Sequence, residues 1–121
     1  MLDTADKNTA RIPTVVIIDD DPTSVVVLES MLNKEGISTF YASSGTEGRA
    51  LVKAEHPDLV LLDIYMPDES GFETCNTLKS DPETADIPVI FITSKTDAPS
   101  KLKGFELGAV DYITKPYMAA E

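Results

Sequence analysis

The stretch from Asp58 to Pro67, DLVLLDIYMP, constrains this chain more than any other. Leu59, Val60, Leu61 and Leu62 are apolar without interruption, so both faces of the segment call for burial. A run this short, with Pro57 before it and Met66-Pro67 after it, reads as a central strand of a parallel sheet. It ends in Asp63, a charge that the strand does not need. In open parallel sheets, ligands and chemistry sit just beyond the carboxyl ends of the strands. Asp63 is therefore expected at the mouth of a site.

Other stretches repeat the pattern. Thr14 to Asp19 (TVVIID) and Pro88 to Thr93 (PVIFIT) are strongly apolar strands, and Ile37 to Tyr41 and Val110 to Thr114 are shorter ones. Asp21-Pro22 is a helix start, Asp as N-cap and Pro at the first helical position. Val25, Leu28 and Leu32, with Val27 and Met31 beside them, form its stripe, and Gly36 is its C-cap signal. Ser44 and Glu47 have capping-box spacing and open a second helix through Ala50, Leu51 and Ala54, which Pro57 stops. MPDESG reads as a turn, and a third helix follows through Phe72, Cys75 and Leu78 to Asp81-Pro82. A weaker helix around Leu102 and Phe105 ends at Gly108. Five β–α alternations imply an α/β doubly wound parallel sheet with the three apolar strands in its middle. With 121 residues there is room for one core. Residues 1–12 are expected to be a flexible lead-in and 13–121 the domain.

Composition narrows the functions. A net charge of −11 argues against direct nucleic-acid binding and is compatible with cations. The single Cys75 excludes an intramolecular disulfide and fits a reducing compartment; with His56 the only histidine, a zinc site is not expected. The N-terminus has no apolar core of a signal peptide, and no run approaches the roughly 18 to 20 apolar residues of a membrane span. The expectation is a soluble, cytoplasmic domain with no membrane partner.

The strand ends carry the chemistry. The first ends Asp19-Asp20-Asp21, the third Asp63, the fourth Thr93-Ser94 and the fifth Thr114-Lys115-Pro116. In a parallel sheet these ends converge in one crevice. Two carboxylates about 4 Å apart repel by on the order of 4 kcal/mol at an effective dielectric near 20. A hard divalent cation removes that cost, and few carboxylates with room for waters suit Mg²⁺. Lys115 adds a positive charge and Thr93 a hydroxyl. Metal, ammonium and hydroxyl around one carboxylate make a receptacle for a phosphoryl group, with Asp63 as the nucleophile.

The blocks DDDP, DLVLLDIYMPDESGFE, PVIFITS and VDYITKP together resemble the receiver domain of two-component response regulators, from Thr14 to Pro116. That resemblance implies a flavodoxin-like five-stranded sheet in the order 2-1-3-4-5. It implies Asp63 as phospho-acceptor, Asp20 as direct Mg²⁺ ligand, Asp19 as its water-mediated neighbour and the Tyr65 backbone carbonyl as completing the metal shell. Thr93 is similar to the family's switch hydroxyl, Lys115 to the lysine that contacts the phosphoryl group, and Tyr112 to the aromatic rotamer switch. A cis Lys115-Pro116 bond is implied as well. The partners implied are a sensor histidine kinase or phosphotransfer protein and an output domain or effector, with a homodimer also allowed. Such a domain catalyses its own phosphorylation and dephosphorylation and is not a turnover enzyme. Family members close with a fifth helix, for which Tyr117 to Glu121 are too few. That helix is expected to be truncated or absent, with a longer parent protein or another subunit supplying the cover.

Other readings fit less well. A flavin or nucleotide binder of this fold class would need a phosphate-cradling loop after the first strand, where three aspartates stand instead. An aspartyl phosphatase would want an acid at position 65, which is Tyr65. A pseudo-receiver without chemistry is at odds with the full Asp, Thr and Lys set. Asp21 is expected to act as a cap, His56 to be structural, Cys75 to fill core, and Asp68 and Glu69 to solvate the turn, with tuning of metal binding as the alternative for these two near the mouth. Tyr65 and Lys95 are bulky residues flanking the path of a hydrolytic water, so slow self-dephosphorylation is expected.

Overall fold

The computed structural model describes residues 12–93 and 111–114; for Thr93 and for 111–114 the backbone alone is described. The lead-in of residues 1–11, the helix expected around Leu102 and Phe105, Lys95, Lys115, Pro116 and the short C-terminus lie outside the described residues.

Five strands form one sheet: β1 (Thr14–Ile18), β2 (Ser38–Ala42), β3 (Leu59–Asp63), β4 (Val89–Thr93) and β5 (Asp111–Thr114). All four pairings are parallel and the order is β2-β1-β3-β4-β5, as expected. The three most apolar strands are the inner three. Alternation along each strand then divides the core. Val16, Ile18, Val60, Leu62, Val89 and Phe91 face one way, and Val15, Ile17, Leu61 and Ile92 the other.

Helices cover both faces. Helix α1 (Pro22–Lys34) seats Val25 and Leu28 on the second face. Helices α2 (Gly45–Glu55) and α3 (Gly71–Ser80) bring Val52, Cys75 and Leu78 to the first. Each such valine or leucine contributes about 1.5–3 kcal/mol by leaving water. Phe72 of α3 meets Phe91 edge-on, with centroids 5.2 Å apart, tying that helix to β4.

The helix ends follow the sequence closely, with two differences. Asp21 caps α1, accepting from the Thr23 N–H at 3.1 Å and from the Ser24 hydroxyl at 3.0 Å. At the other end the N–H groups of Gly36 and Ile37 donate to the carbonyls of Asn33 and Leu32, a Schellman closure with Gly36 at φ 81°. The capping box expected at Ser44 is incomplete. Ser44 accepts from the Glu47 N–H, but the Glu47 carboxylate reaches one residue further back, to the N–H and hydroxyl of Ser43. A complete box forms instead at Ser70 and Glu73, where the expected turn gives way to α3. His56 ends α2 in the left-handed region, φ 46°, exposed and in a structural role.

Candidate functional site

The register of the sheet decides what meets at its carboxyl edge. Ile18 of β1 pairs with Leu62 of β3, so the next residues, Asp19 and Asp63, stand side by side. Both continue the alternation of Ile17 and Leu61, which face α1. Asp63 pairs in turn with Ile92, and Thr93, one step beyond, pairs with Thr114. Thr93 and the end of β5 therefore stand at the same edge, and Tyr112 pairs with Phe91 two residues below.

Asp19 is fully buried, Asp63 is 7% exposed and Asp20 is exposed. Oxygen atoms from these three carboxylates lie within 4.8 Å of one another. One oxygen of Asp19 accepts the Asp21 N–H at 2.9 Å, which fixes the start of α1 to the cluster. Two buried carboxylates and one exposed one at this spacing are a hard-oxygen donor set with an open side. That fits a magnesium-type cation, which binds through few carboxylates and retains waters. Tyr65, two residues past Asp63, is exposed at the rim. Of the residues singled out in sequence, Asp19, Asp20 and Asp63 come together; Asp21 serves α1 instead.

The loop between β3 and α3 corrects one expectation. Asp68 and Glu69 do not merely solvate it. The Asp68 carboxylate accepts the N–H groups of Gly45 and Thr46, each at 2.9 Å, and the Thr46 hydroxyl at 2.6 Å. It thereby caps the first turn of α2 from a distant part of the chain, satisfying two donors that Ser44 does not reach. The hydroxyl of Thr46, followed by those N–H groups, holds the Asp68 carboxyl well below the usual carboxylate range. Glu69 takes the Arg49 guanidinium in a two-pronged grip, Nε to Oε2 and Nη2 to Oε1, both 3.0 Å, and accepts from the Thr74 hydroxyl. The Arg49 hydrogen bond is the main cause of its lowered pKa, opposed by burial. Within the loop the Gly71 N–H donates to the Ile64 carbonyl at 2.6 Å. Sequence reading missed Arg49, Gly71 and the partners of Asp68; the one local signal was the Ser70-x-x-Glu73 spacing. Cys75 is buried, and burial pushes its thiol up to about 11, as suits a core residue.

The comparisons with known proteins agree on one family. Residues 15–121 match the model of the response regulator receiver domain. The chain is 44% identical over 102 residues to protein PilH of Pseudomonas aeruginosa, covering 84% of each. It is 39% identical over 109 residues to RpaA of Synechocystis, a DNA-binding dual master transcriptional regulator, covering 90% of this chain and 45% of RpaA. Among solved structures, the N-terminal domain of a response regulator receiver protein from Methanoculleus marisnigri superposes with a TM-score of 0.80 at 40% identity, covering 88% of this chain and 86% of that one. Fold, strand order, acidic cluster and relatives converge, and the chain belongs to the response regulator receiver domain family.

Proposed function

We propose that this domain takes a phosphoryl group onto Asp63 from a phosphohistidine of a sensor kinase or phosphotransfer protein. The observation that carries the proposal is the convergence of the Asp19, Asp20 and Asp63 carboxylates within 4.8 Å at the carboxyl edge of the sheet. An Asp63 oxygen attacks phosphorus, an O–P bond forms, the N–P bond breaks, and the electron pair leaves on the imidazole. Asp19, Asp20, Asp63 and the Tyr65 backbone carbonyl would hold Mg²⁺, which supplies positive charge against the phosphoryl oxygens. Burial of Asp63 beside Asp19 keeps bulk water from competing for the nucleophile. Thr93 and Lys115 neutralise the product; the register that brings the Thr93 backbone to this edge supports the part given to Thr93. Movement of Thr93 and Tyr112 then biases a two-state surface read by an output domain or effector.

On this reading the domain speeds its own phosphorylation and dephosphorylation and turns over no external substrate. Its place of action on this reading is the cytoplasm; among the described residues no helix is long and apolar enough to cross a membrane. The test is intact mass after incubation with a small acyl phosphate, with and without Mg²⁺, for the wild type and Asp63→Asn. A gain of one phosphoryl group that requires both Mg²⁺ and Asp63 supports the proposal. No gain by a folded wild type overturns it.

A further inference from the structure

The segment that leaves Asp63 is held at more points than a surface turn needs. Its near end is fastened by the Gly71 N–H on the Ile64 carbonyl. Its far end is fastened twice to α2, through Asp68 on the Gly45 and Thr46 amides and through Glu69 on Arg49. Thr74 of α3 closes the arrangement from the other side by donating to Glu69. Tyr65 and Met66 lie between these fixed points, so the backbone next to the phospho-acceptor has little room to adjust. The Arg49–Glu69 pair is two-thirds or more shielded, with side-chain exposures of 32% and 17%, and its fork geometry adds direction as well as attraction.

We propose that Arg49, Asp68 and Glu69 are positioning residues for the acidic site, a clamp from α2 that fixes residues 64–69 and thereby the place of the Tyr65 backbone beside Asp63. This rests on the reading of the site as a Mg²⁺-assisted phospho-acceptor. The clamp touches neither metal nor phosphoryl group; it acts through the loop. Outer-shell contacts that orient metal ligands typically alter affinity by about 10- to 100-fold.

Arg49 gives the decisive test, because charge and geometry predict opposite signs. Removing a cation from a domain of net charge −11 would by charge alone tighten Mg²⁺ binding. Loosening the clamp weakens it. Calorimetric titration of the unphosphorylated domain is expected to show Mg²⁺ binding about tenfold weaker in Arg49→Met. Arg49→Lys keeps the charge but loses the fork, and is expected to fall between the two. Amide hydrogen exchange of residues 64–69, measured without metal, is expected to speed up in both variants while the strands stay protected. Arg49→Met binding Mg²⁺ as tightly as wild type, or more tightly, overturns the clamp, as does unchanged exchange in 64–69. A wild type that binds no Mg²⁺ overturns the metal reading instead, and the exchange result then judges the clamp by itself. Arg49→Lys preserves a cation on a part-exposed helix face and so keeps the comparison open should Arg49→Met fail to fold.

Discussion

The backbone of Gly71, the first residue of α3, is pressed against the backbone carbonyl of Asp63. A β-carbon on Gly71 would collide with that carbonyl and lie 2.8 Å from the Ile64 α-carbon. Both obstacles are backbone, so nothing can swing aside. Gly71→Ala is expected to destabilise the domain by about 2 kcal/mol and to shift Asp63 relative to Asp19. Gly36→Ala is the control: its left-handed φ of 81° also penalises a side chain, by about 1–2 kcal/mol, but open space surrounds it far from the acids. Urea unfolding should show both losses. Phosphorylation of Asp63 should drop in Gly71→Ala alone, and equal drops would count against a specific hold on the acceptor.

Much of this was legible from residue order. The runs TVVII, LVLLD and VIFIT are apolar on both faces, which puts β1, β3 and β4 in the middle of the sheet. Asp19 and Asp63 follow from being charges at strand ends where the strand has no use for them. What stayed hidden depends on distance in space. Asp68 caps a helix that starts 23 residues earlier, and Glu69 meets an arginine 20 residues away. No local pattern distinguishes such acids from ones that only face water. The shift of the Glu47 carboxylate to Ser43 was hidden for a smaller reason, since the capping-box spacing fits either neighbour.

Acid should release the clamp. The carboxyls of Asp68 and Glu69 are both held below their ordinary values by donated hydrogen bonds. A folded pKa below the unfolded one means stability that is present above the unfolded value, near 4, and lost as pH falls through the folded one. The unfolding free energy of the wild type should therefore begin to decline below about pH 5 and go on declining as the pH falls further. Glu69→Gln and Asp68→Asn should start lower and show a flatter decline. Urea titrations across that range would show it, and parallel slopes would remove these two carboxylates from the account.

His56 holds a left-handed conformation, φ 46° and ψ 61°, while its N–H still closes α2 on the Val52 carbonyl at 2.9 Å. A residue with a β-carbon there costs about 1–2 kcal/mol, and glycine returns part of that as lost chain entropy. His56→Gly is expected to gain about 0.5 kcal/mol, or roughly 2–4 °C in Tm. The exposed imidazole has no part in the acidic site, so phosphorylation should be unaltered. A lower Tm would show that the ring contributes more than its backbone strain removes.

Cys75 should report on opening of the core. It is fully buried among the residues packed on the first face of the sheet, and its thiol is pushed up to about 11 by burial. At pH 8 only on the order of one molecule in a thousand then carries a thiolate. Alkylation by iodoacetamide, followed by mass, should be negligible in the native domain and should rise with urea along the unfolding curve. Rapid labelling without urea would place the thiol nearer to water than its burial allows.

Tyr65 stands two residues past Asp63 and is 62% exposed; if Asp63 is the acceptor, the ring stands beside the approach of a hydrolytic water. Hydrolysis needs that water in line with the bond to be broken, and a ring at the rim narrows the approach. The Tyr65 backbone carbonyl would remain available to the metal whatever the side chain, so truncation should leave phosphorylation of Asp63 intact. Tyr65→Ala is therefore expected to shorten the phosphoryl lifetime severalfold, with the same Mg²⁺ affinity as wild type. Loss of the phosphorylated mass after removal of the donor measures it directly. An unchanged lifetime would show that the ring does not guard the path, and a changed Mg²⁺ affinity would show that the substitution had disturbed the loop.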